Sequence, residues 1–475
     1  MAFTLLSHVV ADLTLGKPVL PWLAASACVR DALAALKQLA DDVNEISIWD
    51  CSAKSPSLDL ASSAPSQVAP ALCGSKPSQA LTSCLEGSVV ATGRPLCQVF
   101  AHLDCQCIGK VCMQKIICYL ASEKSLYNLS NALDAPVTVL LNDSTKCAVQ
   151  HIDPDASLLE ALDLIVAGAQ NLVIPITGRA TRNGRHFKSN MLQKARSTPT
   201  VVHAATLKDH NGQEYCWLTH EDVLRFLLGS IGDFSPLPMM SIEALGLVKT
   251  DVRMVSIRQD ATVALEMIKE ACCDMSAVAV VDSVEGKPGS VELVGDISHA
   301  TLQMCSETAS LALATLSAGD FLLFQQDCKN PPEVLIDMIR MHVHEKLGIS
   351  NNQHVQDPPL LKVEDAGHLL QKLEMWEESS SEDDESSAES PIGHHDLSRK
   401  WHSVLFRSSR KGLTMKSRSG PIFCNPRSSL IAVLLQALAH REHYVWVTDE
   451  DDLLLGIVTL LDILTAMFSH INVFT

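Results

Sequence analysis

The chain has 475 residues, of which 47% are hydrophobic and only 4% aromatic, and a formal net charge of −18 at pH 7. That length gives room for two or three domains, whose cores must be filled by Leu, Val, Ile and Ala. The acidic balance argues against a nucleic-acid binder, because affinity for a phosphate backbone needs clustered cations.

Sixteen cysteines would be many for an intracellular chain, but their context is not that of a disulfide framework. The first twenty residues lack a charged segment followed by a long apolar core, and no apolar run reaches the roughly 18 residues of a membrane span. These features predict a reduced protein, cytoplasmic or also nuclear, with thiols buried mostly as small hydrophobes. Cys105-Gln106-Cys107, with Cys112 and Cys118 nearby, is the nearest approach to a zinc pattern. No second CxxC or His pair completes a tetrahedral set, so no metal site is expected.

Taken in chain order, the sequence repeats one pattern four times. In the first unit (1–125), Cys28–Leu39 has the apolar spacing of a helix and Ile46–Asp50 reads as a strand. A Ser/Ala/Pro-rich insert, about Ser52 to Phe100, reads as a flexible loop, and the unit resumes at Cys107–Ile116. The second unit (140–235) has a helix entered at Asp153–Ala161 and a strand at Asn171–Ile176. A basic insert from about Gly178 to Gln213 follows, and Tyr215–Leu224 closes the unit. In the third (245–310), Asp260–Leu265 opens a helix, Ala277–Asp282 is a strand and Val294–Leu302 closes it. Residues 311–420 are expected to be a linker with helical patterns at Glu333–Leu347 and Leu360–Trp376. Within it lies an acidic, Ser-rich tract, Glu377–Ser390, too polar to repay chain ordering, and then a basic stretch from Arg399 to Arg418.

The fourth unit (421–475) is the clearest. Ser429–His440 carries apolar residues at Leu430, Val433, Leu434, Ala437 and Leu438, a helical period, with a serine hydroxyl at its start to cap it. Tyr444–Val447 and Leu453–Val458 are β-rich runs joined by the acidic turn Thr448–Asp452, so they predict a hairpin. Thr459 starts another helix, with Asp462 on its first turn.

The strings His443-Tyr444-Val445-Trp446-Val447-Thr448-Asp449 and Gly456-Ile457-Val458-Thr459-Leu460-Leu461-Asp462-Ile463 resemble a cystathionine-β-synthase (CBS) motif. The likeness is to plant CBS-domain proteins of the group that includes the γ-type regulatory subunits of SNF1 and AMP-activated kinases. It implies an α/β fold of four CBS (βαββα) repeats. These would pair sheet to sheet into two pseudo-twofold modules, unit one with two and unit three with four. It also implies an adenosine nucleotide (AMP, ADP or ATP) as regulatory ligand in a cleft between paired sheets. There a carboxylate on the last helix's first turn accepts the ribose hydroxyls, and a Thr at the helix start meets phosphate. Carried over residue by residue, these are Thr459 and Asp462, then Thr219 and Asp222, with Ser298 acceptable at the hydroxyl position of unit three. Cys112 and Lys115 stand in those places in unit one, and Thr301 replaces the Asp in unit three. The basic pair that γ subunits set before the central strand is matched by His443 alone; Gln170-Asn171 and Met275-Ser276 occupy it elsewhere.

Weighed against these is a plainer reading, an N-cap Thr followed by an Asp that suits the helix dipole. The chain shows no Walker loop, dinucleotide glycine fingerprint, GxSxG or HExxH, so no catalysis and no obligate cofactor are expected. Two functions remain. One is an energy-sensing regulatory module for a partner such as a SNF1-type kinase, with a homodimer as a further expectation. The other is an interaction scaffold with degenerate clefts.

Overall fold

The computed structural model describes residues 7–39, 44–51, 105–141, 149–176, 213–284, 286, 289–346 and 420–473. The inserts expected at about 52–100 and 178–213 fall almost wholly outside these residues. So do the 360–376 helical pattern, the 377–390 acidic tract and the basic stretch to Arg418.

The chain opens on a short helix, α1 (Val10–Leu13). Unit one follows as β1 (Trp22–Ala24), α2 (Val29–Gln38), β2 (Glu45–Asp50), β3 (Gln106–Cys112) and α3 (Met113–Leu120), trailed by α4 (Glu123–Tyr127) and α5 (Leu129–Asp134). Unit two is β4 (Val149–His151), α6 (Leu158–Val166), β5 (Asn171–Pro175), β6 (Tyr215–Thr219) and α7 (His220–Leu228). Unit three is β7 (Met254–Ser256), α8 (Leu265–Asp274), β8 (Ala277–Ser283), β9 (Val291–Ser298) and α9 (His299–Gln303). After it come α10 (Ala309–Thr315), α11 (Ala318–Gln326) and α12 (Glu333–Lys346). Unit four is β10 (Phe423–Cys424), α13 (Leu430–His440), β11 (Tyr444–Thr448), β12 (Leu454–Thr459) and α14 (Leu460–Val473).

Each unit is therefore βαββα, with a three-stranded sheet in which the first strand runs parallel to the second and the second antiparallel to the third. The first helices begin where side-chain oxygens take up free N–H groups: Ser157 Oγ accepts from Glu160 N at 3.2 Å, and Ser429 Oγ from Ala432 N at 3.4 Å. Those of units two, three and four stop at left-handed residues, whereas unit one's ends at Leu39 in extended backbone. Gly168 supplies φ +113° in unit two, whereas Met275 and Arg441 adopt φ 55° and 58° in units three and four, a turn that glycine makes without steric cost.

A sheet face and a helix stripe each need a partner, and the four units supply them in two directions. Sheets face each other within a module. Trp49, Val173 and Tyr215 join unit one to unit two, and Ala279, Tyr444, Trp446 and Ile457 join unit three to unit four. Helices face each other between modules. One core runs from α2 and α3 into α8 and α9, so unit one lies on unit three; the other joins α6 and α7 to α13 and α14, so unit two lies on unit four. The expected pairing of one with two and three with four thus holds, and the two modules close on each other helix to helix.

Residues 311–346 behave differently from the linker assigned to them. α10 and α11 bury Leu313, Phe321 and Phe324 completely, and α12 buries Ile339, all in the unit one–unit three core. The Ala-Ser-Leu-Ala-Leu-Ala run of α10 is apolar on every side, which hides helical period. Apart from Cys273, which is disulfide-bonded, the described cysteines with a stated bonding state are free thiols, most of them buried. Among the described residues no helix is long and apolar enough to cross a membrane.

Candidate functional site

Strand register identifies equivalent positions independently of any sequence match. Cys112, Thr219, Ser298 and Thr459 each end the third strand of their unit, opposite Glu45, Asn171, Ala277 and Tyr444, the first residues of the second strands. Each then serves as N-cap of its unit's last helix. The same register sets Ser276-Ala277, one residue beyond the Met275-Ser276 expected from sequence, level with His443-Tyr444.

In unit four, Thr459 is buried. Its Oγ1 and N donate to Asp462 Oδ2 at 2.7 and 3.0 Å, and Asp462 N donates to Thr459 Oγ1 at 3.3 Å. Unit two repeats this closed box: Thr219 Oγ1 and N donate to Asp222 Oδ2, both at 2.8 Å, and Asp222 N returns 3.3 Å to Thr219 Oγ1. Unit three has the weaker version, with Ser298 N donating to Thr301 Oγ1 at 3.0 Å and Thr301 N to Ser298 Oγ at 3.2 Å. In unit one Cys112 makes no side-chain cap bond, and Lys115 Nζ turns back to donate to Lys110 O at 2.9 Å. Each full box satisfies two helix N–H groups, a contribution of about 1 kcal/mol. The plain cap role is therefore realised, and it leaves one oxygen of each Asp for another partner.

In unit four that partner is a lysine: Lys249 Nζ lies 2.7 Å from Asp462 Oδ1. In unit two Lys17 Nζ pairs instead with Asp222 Oδ2, the oxygen that the cap already uses, while donating to Trp217 O at 2.8 Å. Both come from the segment that enters the module: Lys17 lies five residues before Trp22 of β1, and Lys249 five before Met254 of β7. Gly456 permits the approach in unit four, since a Cβ there would sit 2.4 Å from Lys249 O. Lys249 and Ile457 exchange backbone hydrogen bonds of 2.9 and 3.0 Å alongside. The equal offsets are a repeat-level signal that a search confined to the βαββα motif overlooks. Asp462 keeps 16% side-chain exposure, and its lysine 53%.

His443 sits elsewhere in the electrostatics. It sits half-buried in the seam between units four and two, its ring 5.2 Å from that of His220. Burial lowers the His443 pKa and pulls His220 down to about 3, so both are neutral and neither is a counter-charge for phosphate. Gln170 Nε2 donates across to unit three, at Cys272 O, 2.7 Å away.

The opposite seam is ionic. Lys110 Nζ and Glu45 Oε1 are 2.8 Å apart. Burial opposes ionisation of Glu45, but Lys110, His299 and Lys115 outweigh it and hold the carboxyl at about 2. His299 is pushed down to about 3, chiefly by burial.

Between the paired sheets the space is taken by aromatic side chains. Trp446 is fully buried; its Nε1 and the Tyr444 hydroxyl donate to Asp296 Oδ2 of unit three at 2.8 and 2.7 Å. In the first module Trp49 donates to Ser47 Oγ at 2.9 Å and packs 4.7 Å from the Tyr215 ring. The sequence placed Trp446 on a strand, but nothing in it paired that ring with Asp296, 150 residues away.

Residues 415–469 match the family model described as CBS domain. The CBS domain-containing protein CBSX5 of Arabidopsis thaliana is 34% identical over 98% of this chain and 97% of its own length. CBSX6 of the same plant is 26% identical over 100% of the chain and 96% of its own. Among solved structures, protein MJ1225 of Methanocaldococcus jannaschii superposes with a TM-score of 0.44 at 11% identity, covering 96% of this chain and 99% of that one. With a full-length relative above 30% identity, and four βαββα units closing sheet to sheet in twos, the chain belongs to the CBS domain-containing proteins.

Proposed function

We propose that the chain is a non-catalytic regulatory protein whose unit-four half-site takes an adenosine nucleotide, with the unit-two half-site as a weaker counterpart. The observation that carries this reading is the Asp462–Lys249 pair. Asp462 spends one oxygen on the helix cap and offers the other to an ammonium that is half in solvent. An exposed pair of this kind is worth at most about 1 kcal/mol, so ribose hydroxyls can displace it. The freed Lys249 then supplies the positive charge for phosphate that the motif itself lacks. Lys17 and Asp222 form a related pair with a more enclosed lysine, 21% exposed, but on the same carboxylate oxygen as the cap. Nucleotide would bias how the two modules pack, and so how a partner such as a SNF1-type kinase is held. Such coupling needs different affinities in the two packings.

Calorimetry of the full chain against AMP, ADP and ATP is the direct test. The expected dissociation constant is on the order of 0.1 mM, about −5.5 kcal/mol. Asp462→Ala should abolish the heat, and Lys249→Met should weaken AMP more than adenosine. No heat with any of the three nucleotides rejects the reading. A second reading, a scaffold without ligand, is favoured by the tryptophans that fill both inter-sheet spaces. It predicts no rise in melting temperature at any nucleotide concentration, whereas a ligand raises it with the logarithm of concentration.

A further inference from the structure

The thiol at the unit-one cap position has a use that the cap does not explain. Thr219, Ser298 and Thr459 turn their hydroxyls onto their own helices. Cys112, at the same register position, has its sulfur in a cluster that spans two modules, with Cys272 on α8 and His299 on α9. One donor atom from each of the three residues lies within 4.8 Å of the other two, and Cys112 Sγ is 3.9 Å from His299 Nδ1. In a tetrahedral zinc site, with Zn–S about 2.3 Å and Zn–N about 2.0 Å, neighbouring donors lie roughly 3.5–3.8 Å apart. Closure of the cluster onto a cation therefore needs shifts of about 1 Å or less.

The surroundings are those of a ligand set. His299 Nε2 faces Glu45 Oε1 at 3.7 Å, an outer carboxylate of the kind that orients a metal-bound imidazole. On the other edge Gln114 Oε1 is 2.8 Å from Nδ1, and its orientation is fixed because Gln114 Nε2 donates to Ile268 O at 2.9 Å. That carbonyl oxygen, hydrogen-bonded to Nδ1, is available as a fourth donor once a cation takes the proton's place.

We propose that Cys112, Cys272 and His299, completed by the Gln114 carbonyl, hold a zinc-class divalent cation that ties unit one to unit three. Two thiols and an imidazole select a borderline-soft ion over magnesium or calcium. The site is independent of nucleotide and lies in the other helix seam.

Cobalt is the probe. The full chain is reduced, desalted and given one equivalent of Co(II). The wild type should show thiolate-to-cobalt charge transfer and the intense visible bands of a tetrahedral site, both bleached by zinc. Cys112→Ser installs the hydroxyl found in the sister units, so folding should be retained and checkable by circular dichroism. It should lose the bands and weaken zinc binding by about 100-fold or more, beyond the loss typical of an outer partner. Cys51→Ser, at an exposed cysteine, should change nothing. If Cys112→Ser does not fold, Cys272→Ala is read in the same assay. Absence of bands in the wild type overturns the proposal, as do unchanged bands in the Cys112 or Cys272 variant. A Cys112–Cys272 disulfide in metal-free, unreduced protein also overturns it.

Discussion

The two helix seams of this molecule are built from the same parts and have diverged in chemistry. Units two and four meet in one seam, and both keep Thr-x-x-Asp at the start of the last helix. Units one and three meet in the other, and there the same positions read Cys112…Lys115 and Ser298…Thr301. The facing residue on the second strand suggests why unit one departs. Asn171 and Tyr444, opposite Thr219 and Thr459, are uncharged and tolerate an Asp one helical turn away. Glu45, opposite Cys112, is ionised and stabilised by Lys115. An Asp at 115 would face that carboxylate with like charge. The lesson is that a motif position answers to its neighbour on the adjoining strand as well as to its own helix.

The largest effects test whether the seams are equally structural. Ile117 of α3 and Leu464 of α14 are both fully buried, one in each helix core. Truncation of either to Ala should cost about 2–5 kcal/mol, the range for a buried aliphatic that leaves a cavity. Because each module contributes to both cores, urea unfolding should remain one transition that both variants move. Two separate transitions, with one variant moving each, would mean that the modules do not stabilise one another.

A smaller effect separates two buried carboxylates by the sign of their pH dependence. Glu45, held at about 2 by its cations despite burial, contributes stability that is present above its unfolded pKa and lost as pH falls through 2. Glu442 is pushed up to about 8 by burial and by Asp296. Its protonated form is favoured in the folded state, so stability falls as pH rises from the unfolded value of 4.5 through 8. Buried neutral histidines oppose this trend below pH 6.5, since the unfolded chain binds their protons. Between about pH 6.5 and 8.5 the histidines are silent, but Cys272, brought down to about 7 by its hydrogen bond with Cys112 and by Lys115 and Lys110, adds stability as pH rises. Glu442 is therefore read from the difference between wild type and Glu442→Gln, which should change by on the order of 2 kcal/mol across the window. An unchanged slope in the variant would remove Glu442 as its source.

Much of this architecture was legible in the chain because each βαββα unit announces itself locally. Periodic apolar positions mark α13, the β-rich runs mark β11 and β12, and the Thr/Asp spacing marks the entry to α14. What stayed hidden is non-local. Lys17 and Lys249 lie outside the repeat and reach Asp222 and Asp462 only through the fold. Asp296 reads as a surface residue on a strand until Tyr444 and Trp446 close over it. α10 and α11 lack a polar face, so period gives no sign of them. The roles expected of Thr459, Asp462, Thr219 and Asp222 coincide in position with real caps, and position alone does not separate a cap from a ligand contact.

The balance between helix start and facing strand can be tested at Lys115. Considered as a helix start alone, Lys115→Asp should help, because a carboxylate at that position suits the helix dipole and can accept from the cap residue's N–H. Considered against the facing strand, it should hurt, since Glu45 loses a cation and gains an anion. The second effect should win, because Glu45 is largely shielded from water and little screened. The single variant is expected to be about 1 kcal/mol less stable. Combined with Glu45→Gln, the same change should become neutral or favourable, a coupling within the 0.5–3 kcal/mol seen for contacting residues. A four-variant denaturation cycle measures it. Additive effects would mean that Lys115 stands at its position for reasons local to α3, and unit one's departure from Thr-x-x-Asp would need another cause.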